Sequence, residues 1–355
     1  MSRALIAMSG GVDSSVAAYL TKEAGYECVG CTMRLHHEAD EETVREGTCC
    51  SLRDVEDARS VAARLDMPYY VFNFSDDFEE KIIKKFIDSY FAGATPNPCI
   101  DCNRYMKFDK LFDRARLLNC GHVVTGHYAR IERENGRWLL KKALDDKKDQ
   151  SYVLYTMTQE QLAHTLFPLG DLTKTETRRI AEENGFLNAK KPDSQDICFV
   201  PDGDYAAVIE KYAGRKSEPG DFIDRDGNVL GRHRGIIHYT LGQRRGLGVP
   251  AARSYYVTAI DPVRNTVTLS FGEGLFTDTV TVRDVNLIAM DRLDSPLRVR
   301  AKIRYRHPAQ EATVTQTDAD TLVIRFDQPQ RAVTKGQAAV LYLGDTVLGG
   351  GTIVS

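Results

Sequence analysis

A buried-strand pattern that runs directly into a glycine- and serine-rich turn restricts the fold of this chain more than any other feature. Residues 4–8 are apolar, residues 9–15 read SGGVDSS, and a second apolar segment follows. This order predicts a strand, a tight turn and the start of a helix. Glycines let the main chain wrap closely around an anion, and a helix N-terminus adds partial positive charge. The turn therefore predicts a phosphate-binding loop.

The turn differs from the common nucleotide-binding loops. A Walker loop reads G-x-x-x-x-G-K-[S/T] and a dinucleotide fold reads G-x-G-x-x-G, and neither pattern is present at residues 9–15. SGGVDSS instead resembles the PP-loop of ATP pyrophosphatases, which hold the β- and γ-phosphates together and transfer AMP to a substrate oxygen. The resemblance implies ATP cleavage between the α- and β-phosphates.

Composition defines the broad class of the protein. The chain has 355 residues, a formal net charge of −3, 27% charged and 42% hydrophobic residues. These values are typical of a soluble globular protein of two or three domains. The chain has no 18-residue apolar run and no signal-peptide pattern, so we expect a cytoplasmic protein without a membrane segment, and a monomer. In a reducing compartment, its eight cysteines favour reactive or metal-binding roles over disulfides.

Strand and helix patterns alternate over the first part of the chain, which predicts an α/β domain with a doubly wound parallel sheet. Ligands of such sheets lie beyond the carboxyl ends of the strands, where residues 9–15, Met33 and Gly126 fall. A glycine-rich and charged region follows and predicts a small β-rich domain. Short alternating runs then predict a C-terminal antiparallel β-barrel. We expect domains at 1–205, 206–275 and 276–355.

Five of the cysteines are poor candidates for chemistry. Cys28 and Cys31 lie three apart in a strand pattern, which places them on opposite faces of the strand, so we interpret both as small buried apolar residues. The adjacent pair Cys49-Cys50 begins a polar loop and is unsuited to joint ligation of one metal. Cys120 ends a helix pattern and is expected to pack in the interior.

The remaining three cysteines lie in unusual contexts. Residues 95–103 read TPNPCIDCN, and the two prolines predict a rigid loop that ends where a helix begins at Lys107. Cys102 would then lie near the helix N-terminus, which lowers the pKa of a thiol and favours the thiolate. Cys198 lies in DSQDICF over residues 193–199. A zinc knuckle is one alternative but lacks a fourth ligand, so reactive thiols are favoured.

Six segments in the same order resemble the tRNA-specific 2-thiouridylases over nearly the whole chain. They are SGGVDSS, TPNPCIDCN, TGHYAR at 125–130, KDQSY at 148–152, SQDICF at 194–199 and GQAAVLYLGD at 336–345. Enzymes of this family use ATP to replace the C2 oxygen of the wobble uridine with sulfur in tRNAs for Lys, Glu and Gln. The resemblance implies the same reaction for this chain. ATP suits this chemistry, because transfer of AMP to the C2 oxygen turns a poor leaving group into a good one.

The resemblance also implies roles for individual residues. Asp13 is a candidate for ordering the phosphates or binding Mg²⁺, although an Asp at this position also commonly caps a helix. The implied ATP-binding residues are Ala7, Met8, Ser9, Gly10, Gly11, Val12, Asp13, Ser14, Met33 and Gly126. Asn97, Pro98 and Cys99 are implied to approach the target base, which must leave its stack to react. The implied tRNA contacts are His127, Lys148, Asp149, Gln150, Arg304, Tyr305 and Gln337.

Sulfur transfer is implied to use two of the cysteines. Cys198 matches the persulfide carrier of the family and Cys102 its nucleophile. The persulfide either attacks C2 directly, or Cys102 attacks its inner sulfur and releases hydrosulfide. Both routes require a reductant and a sulfur donor, expected to be a cysteine desulfurase or a persulfide relay protein. Some members carry Asp where this chain has Cys99, which leaves open a variant in which Cys99, Cys102 and Cys198 hold a [4Fe–4S] cluster.

A basic stripe suggests an RNA-binding surface in the C-terminal domain. Arg298, Arg300, Lys302, Arg304 and Arg306 alternate with apolar residues, so a strand would present all five on one face. The same alternation turns Tyr305 inward unless the strand bulges. A second basic group comprises Arg232, Arg234, Arg244 and Arg245. Two rival functions remain at this point: another PP-loop ligase that transfers an amine or amide, and a non-enzymatic RNA-binding protein with structural zinc.

Overall fold

The computed structural model describes residues 2–37, 52–193, 197–200 and 203–355 of the chain. Contacts divide the chain into two units, each discontinuous in sequence. The first unit comprises Met1–Ile82, Pro98–Gly203 and Asp345–Leu348, and the second comprises Ile83–Asn97, Asp204–Gly344 and Gly349–Ser355. Cys49 and Cys50 lie outside the described residues.

The first unit is built on a parallel sheet, which confirms the predicted doubly wound α/β fold. Its strands are β1 (Arg3–Ala7), β2 (Glu27–Arg34), β3 (Tyr69–Asn73), β4 (His122–Val124), the hairpin β5 (Ala129–Glu134) and β6 (Arg137–Lys142), and β7 (Thr165–Leu166). Five of these strands form the sheet in the order β3-β2-β1-β4-β7. The chain leaves β1 toward β2 on one side, and β4 lies on the other, so the order reverses beside β1. Ligands of open parallel sheets bind at such a switch point.

Helices cover the sheet and bury its central strand. The α-helices of the described residues are α1 (Val12–Glu23), α2 (Leu52–Arg64), α3 (Ser75–Phe78), α4 (Lys84–Phe91), α5 (Pro98–Asp101), α6 (Leu111–Leu117), α7 (Gln159–Ala163), α8 (Lys174–Glu183) and α9 (Tyr205–Ala213), of which α4 and α9 belong to the second unit. Ala4, Leu5 and Ile6 of β1 are fully buried, and Val16 and Ala17 of α1 pack in the same core. A strand hydrophobic on both sides is what a central parallel strand requires. The predicted buried strand at residues 4–8 is thus confirmed.

The helix predicted to begin at Lys107 begins nine residues earlier. Pro98–Asp101 is α-helical, Cys102–Lys110 continues as a π-helix, and α6 follows without a break. The prediction of a rigid loop across TPNPCIDCN was therefore wrong from Pro98 onward. Proline is well tolerated as the first residue of a helix, where its missing N–H would have no intrahelical partner. Cys99, rather than Cys102, lies in the first helical turn.

The hairpin β5–β6 was not anticipated from the sequence. Its turn is Asn135-Gly136, with φ values of +49° and +81°. Asn-Gly is the preferred pair for this tight turn because both residues tolerate positive φ. In the same unit, Thr346 pairs with Lys141 of β6.

The second unit contains two β-structures, as predicted. Its strands are β8 (Gly220–Ile223), β9 (Val229–His233), β10 (Tyr256–Asp261), β11 (Thr266–Ser270), β12 (Phe276–Leu287), β13 (Leu297–Lys302), β14 (Gln310–Asp318), β15 (Thr321–Arg331), β16 (Ala338–Leu343) and residues 349–353 of β17 (Thr346–Ile353), the start of which belongs to the first unit. Four form a small sheet in the order β10-β11-β8-β9. The last six form an antiparallel barrel in the order β12-β15-β14-β13-β16-β17, closed by pairing of β12 with β17. Among the described residues, no helix has the length and apolar character that a membrane span requires.

Candidate functional site

The glycine- and serine-rich turn lies at the carboxyl end of β1, beside the reversal of strand order. Gly10 has a φ of +72°, and a Cβ there would lie 2.3 Å from the carbonyl oxygen of Asp54. Ser14 and Ser15 each donate a hydrogen bond of 3.0 Å to the Gly11 carbonyl. The first residue of α1 follows Gly11, which provides no side-chain cap. A tight loop thus presents an uncapped helix N-terminus, which is suited to bind phosphate.

The structure brings a second predicted nucleotide-binding residue against this loop. A Cβ on Gly126 would lie 2.7 Å from the backbone carbon of Asp13 and 2.8 Å from the Ser14 nitrogen. Gly126 follows β4, the neighbour of β1. Met33 lies near the end of β2, the other neighbour, and Met8 donates to the Cys31 carbonyl at 2.7 Å. The three segments that the sequence assigned to one nucleotide site therefore lie at the carboxyl ends of adjacent strands.

Asp13 is held by a lysine that the sequence reasoning missed. Lys174, the first residue of α8, places its Nζ 2.7 and 2.8 Å from the two Asp13 carboxylate oxygens. The Tyr128 hydroxyl donates to the Asp13 carboxylate at 2.9 Å, and its oxygen lies 3.0 Å from the Thr177 hydroxyl. Burial, followed by the nearby Asp13 charge, raises the pKa of Tyr128, so the phenol remains protonated. Asp13 forms no side-chain cap for α1. The loop contains no lysine, and Lys174 of the distant helix α8 supplies one beside it.

A second residue that the sequence reasoning missed, Asp193, forms ion pairs with three basic side chains. Its carboxylate lies 2.7 Å from Lys174, 2.6 Å from Lys148 and 3.2 Å from Arg178. Burial acts to raise the pKa of Asp193, but the hydrogen bonds from Lys148 and Lys174 outweigh it and hold the pKa below its usual value. Asp193 is therefore ionised and neutralises the cations beside the loop. The sequence carried a signal for it, because Asp193 immediately precedes SQDICF.

A separate ion-pair cluster supports the back of the loop. Lys191 lies 2.6 Å from Asp54 and 2.7 Å from Asp57, and its Nζ is 3.3 Å from the Gly10 carbonyl. Asn188 donates to the Gly10 carbonyl and to Ser15, each at 2.9 Å. The Asn188 side chain is 4% exposed. These contacts hold the Gly10 carbonyl and thereby fix the conformation of the glycine turn.

The cysteines fall into two classes of exposure. Cys28 and Cys31 are buried, as predicted, and burial raises the pKa of Cys28 to about 11 and that of Cys31 further. Cys120 is buried too, as expected, and burial raises its pKa. Cys99 is exposed, whereas Cys102 and Cys198 are partly exposed. The three cysteines predicted to be reactive are thus the accessible ones among those that the structure describes.

A metal centre receives no support from the arrangement of side chains. Across residues 2–37, 52–193, 197–200 and 203–355, no three His, Cys, Asp or Glu side chains are grouped to hold a metal ion. A [4Fe–4S] cluster on Cys99, Cys102 and Cys198 would need three thiolates directed at one point. The described residues therefore do not fit this cluster.

His127, an expected tRNA contact, is enclosed by protein. It is 5% exposed, with Nδ1 2.6 Å from the Thr125 hydroxyl and Nε2 3.3 Å from Lys107. Burial and then the Lys107 charge lower the pKa of His127 well below its usual value, so the imidazole is neutral. The imidazole is thus enclosed by protein in this structure, and the tRNA contact expected of His127 stays a prediction.

The neighbouring expected tRNA contacts also make contacts within the protein. Lys148 pairs with Asp193 at 2.6 Å. Asp149 accepts hydrogen bonds from the Ala143 and Ser151 backbone nitrogens at 3.2 and 3.1 Å, and the Gln150 amide oxygen accepts from the Tyr128 nitrogen at 3.0 Å. The segment therefore anchors Tyr128, which in turn binds Asp13.

The basic stripe of the barrel is shorter and more neutralised than the sequence predicts. β13 ends at Lys302, so only Arg298, Arg300 and Lys302 alternate on a strand. Arg298 makes a two-point contact with Asp327, at 2.7 Å for both pairs, and Arg300 lies 3.3 Å from Glu311. The prediction that one strand presents all five cations is therefore wrong, and acids of other strands pair with Arg298 and Arg300.

The residues of the C-terminal domain that are expected to contact tRNA, Arg304, Tyr305 and Gln337, lie after the end of β13 and outside the barrel strands. Tyr305 is 37% exposed in the turn after β13, so it faces outward without the bulge that the sequence required. Arg304 donates to the carbonyls of Arg331 and Ala332 at 2.5 and 2.9 Å. Gln337 donates to the Thr95 carbonyl at 2.8 Å, within the second unit.

Comparison with known proteins gives consistent matches along the chain. Residues 2–202 match a family model described as the tRNA methyl transferase HUP domain, residues 206–270 its PRC-barrel domain, and residues 277–353 an aminomethyltransferase beta-barrel domain. The tRNA-specific 2-thiouridylase MnmA of Clostridioides difficile is 52% identical over 99% of this chain and 98% of its own. The protein of the same name from Lachnoclostridium phytofermentans is 50% identical over the full length of both.

Similarity to solved structures is weaker. A 4-thiouridine synthetase–RNA complex with bound ATP aligns with a TM-score of 0.40 at 18% identity, covering 60% of this chain and 50% of that one.

Proposed function

This chain belongs to the tRNA-specific 2-thiouridylase family, and we propose that it catalyses ATP-dependent 2-thiolation of the wobble uridine of tRNAs for Lys, Glu and Gln. The observation that carries the proposal is the PP-loop itself, a glycine turn on an uncapped helix N-terminus at the strand-order reversal. The accessible cysteines supply the second requirement, a sulfur carrier and a thiol partner.

In the first step, the uridine O2 attacks the α-phosphorus of ATP, and pyrophosphate leaves. The backbone N–H groups of the loop and the start of α1 bind the β- and γ-phosphates, because those donors have no side-chain cap. Met33, near the end of β2, and Gly126, just after β4, lie on either side of β1 in strand order and bind the adenosine. Lys174 adds positive charge at the loop and orients Asp13.

Mg²⁺ bound to ATP would spread the charge of the leaving pyrophosphate. Its ligands in such sites are mainly phosphates and waters with one or two carboxylates, so the lack of a three-ligand group among the described residues is compatible with it. Asp13 is the carboxylate within the loop. Both its oxygens already bind Lys174, and we assign Asp13 to ordering that lysine.

In the second step, sulfur replaces the adenylated oxygen. A Cys198 persulfide carries the sulfur, and its terminal sulfur attacks C2 while AMP leaves, after which Cys102 attacks the Cys198 sulfur and frees the 2-thiouridine. Alternatively, Cys102 attacks first and releases hydrosulfide, which then attacks C2. Both routes end with a Cys102–Cys198 disulfide, which a two-electron reductant must reopen. A cysteine desulfurase or a persulfide relay protein loads Cys198, and the reaction takes place in the cytoplasm.

Substrate tRNA contacts both units in this proposal. Asn97, Pro98 and Cys99 approach the extruded base, and the exposed position of Cys99 in the first helical turn supports this role. Tyr305 and Arg304 contact the tRNA from the turn after β13. Lys148 and Gln150 contribute from the segment that anchors Tyr128.

Nucleoside analysis of reacted tRNA tests the proposal. Unmodified tRNA is incubated with enzyme, ATP, Mg²⁺ and a persulfide source, and 2-thiouridine, AMP and pyrophosphate are measured. Cys198→Ser and Cys102→Ser are expected to abolish 2-thiouridine, whereas Cys28→Ser, at a buried site, retains it. Full 2-thiouridine formation by both active-site variants would contradict the sulfur route, and thiolation without pyrophosphate release would contradict the PP-loop assignment.

A further inference from the structure

The Asp193 carboxylate occupies an unusual position for a simple structural ion pair. It accepts contacts from three cations, Lys174, Lys148 and Arg178, all within 3.2 Å. Its side chain is 21% exposed, and that of Lys174 is 11% exposed. One carboxylate bound by three cations has the charge surroundings of an anion-binding site.

This set of cations lies directly at the PP-loop. Lys174 bridges Asp193 to Asp13 through contacts of 2.7 to 2.8 Å, and Asp13 is in the first turn of α1. The Asp193 carboxylate is therefore one lysine nitrogen away from the loop. Phosphates bound by the loop would come within reach of the same cations, since Lys and Arg bind phosphate at least as well as carboxylate.

We propose that Asp193 is an intramolecular substitute for phosphate, which the β- and γ-phosphates of ATP displace from Lys174 and its neighbouring cations when ATP binds. The inference rests on the proposed ATP site and goes beyond it by assigning Asp193 as a positioning residue that competes with the nucleotide. It explains how the charge of Lys174, whose side chain is 11% exposed, remains compensated together with Lys148 and Arg178 before ATP arrives, since an uncompensated buried charge is strongly destabilising.

The competition has a consequence for the end of the first step. When pyrophosphate leaves, the Asp193 carboxylate returns to the cations and competes with pyrophosphate for them. Asp193 therefore weakens the binding of substrate and product phosphates alike. Its removal should tighten both, which is the opposite of what loss of a supporting contact would do.

Isothermal titration with inorganic pyrophosphate and with α,β-methylene-ATP, which cannot be cleaved, tests this inference. Asp193→Asn keeps the size of the side chain and removes the charge, so both probes are expected to bind about tenfold more tightly than to the wild-type chain. Pyrophosphate should also become a correspondingly stronger inhibitor of the thiolation reaction. Asp193→Ser provides a second neutral variant should the asparagine variant fail to fold.

Asp77→Asn is the matched control. Asp77 pairs with Lys110 at 2.6 Å in the same unit, with 30% side-chain exposure, and should leave the affinity for both probes unchanged. Tight binding by the wild-type chain with equal or weaker binding by folded Asp193 variants would overturn this inference and leave the ATP site standing. Absence of binding to every chain would overturn the ATP site and this inference together.

Discussion

Replacement of Gly10 by alanine isolates the backbone contact that shapes the PP-loop. Gly10 has a φ of +72°, and its new Cβ would lie 2.3 Å from the Asp54 carbonyl oxygen and 2.7 Å from the Asp54 Cα. Positive φ costs a residue with a Cβ about 1–2 kcal/mol. The clash with backbone adds about 1–3 kcal/mol, because backbone moves less readily than a side chain. We therefore expect Gly10→Ala to destabilise the first unit by about 2–5 kcal/mol.

Gly136→Ala is the control for this substitution. Gly136 has a φ of +81°, but no heavy atom lies within 4 Å of the position that a Cβ would take there. Only the conformational cost of about 1–2 kcal/mol applies at this site. Both glycines and Trp138, the only tryptophan of the chain, belong to the first unit, so tryptophan fluorescence during urea unfolding reports both variants.

Nucleotide binding completes the comparison of the two glycine variants. Gly10→Ala is expected to lower the affinity for α,β-methylene-ATP at least tenfold, because the loop must move away from Asp54, while Gly136→Ala binds as the wild type does. Equal destabilisation of the two variants would refute the argument that the Asp54 contact constrains Gly10. Unchanged nucleotide affinity in Gly10→Ala would refute the link between loop shape and phosphate binding.

Three further predictions concern titration, thiol reactivity and tRNA binding. Burial lowers the pKa of His127 below its value in the unfolded chain, so the unfolded state takes up the proton first. The free energy of unfolding therefore falls as the pH drops below about 6.5, by at most about 1.4 kcal/mol per pH unit. His127→Gln should reduce this loss of stability between pH 7.5 and pH 5.5 in urea unfolding, and an unchanged loss would contradict the argument. Iodoacetamide at pH 7.5 should modify exposed Cys99 and spare buried Cys31 in the folded chain, as peptide mass spectrometry would show; early labelling of Cys31 would count against its burial. Arg304→Ala should weaken tRNA binding several-fold without affecting the binding of α,β-methylene-ATP, whereas Arg298→Ala should change the tRNA affinity less than twofold because Asp327 already binds its guanidinium. Filter binding at two salt concentrations measures the tRNA affinity of both variants, and equal losses would refute the distinction.

Local patterns in the sequence were sufficient for much of the fold. The apolar run at residues 4–8 and the glycine turn after it predicted β1, the loop and α1, because strand periodicity and turn chemistry are local properties. The starts of α7 and α8 are local in the same sense, because the capping boxes Thr158/Gln161 and Thr173/Glu176 each involve residues only three positions apart. The helix start at Pro98 was missed because two prolines were interpreted as helix breakers, although one of them begins the helix.

Partners brought together from distant segments were beyond such patterns. The charges opposite Arg298 and Arg300 come from β14 and the strand after it, so alternation along β13 alone gave no information about them. The outward position of Tyr305 depends on where β13 ends, which pairing with its neighbours decides.

The sequence by itself determined that this chain has a PP-loop on a parallel sheet and accessible cysteines outside the predicted strands. Turn chemistry, hydrophobic periodicity and the order of the motifs can be read from the sequence without knowledge of tertiary contacts. Only the tertiary structure decided which charged side chains lie beside the loop, since Lys174 and Asp193 are about 160 and 180 positions away from Asp13 in the sequence. The physical reason is that an ion pair acts through space, and the fold alone determines which distant charges share a site.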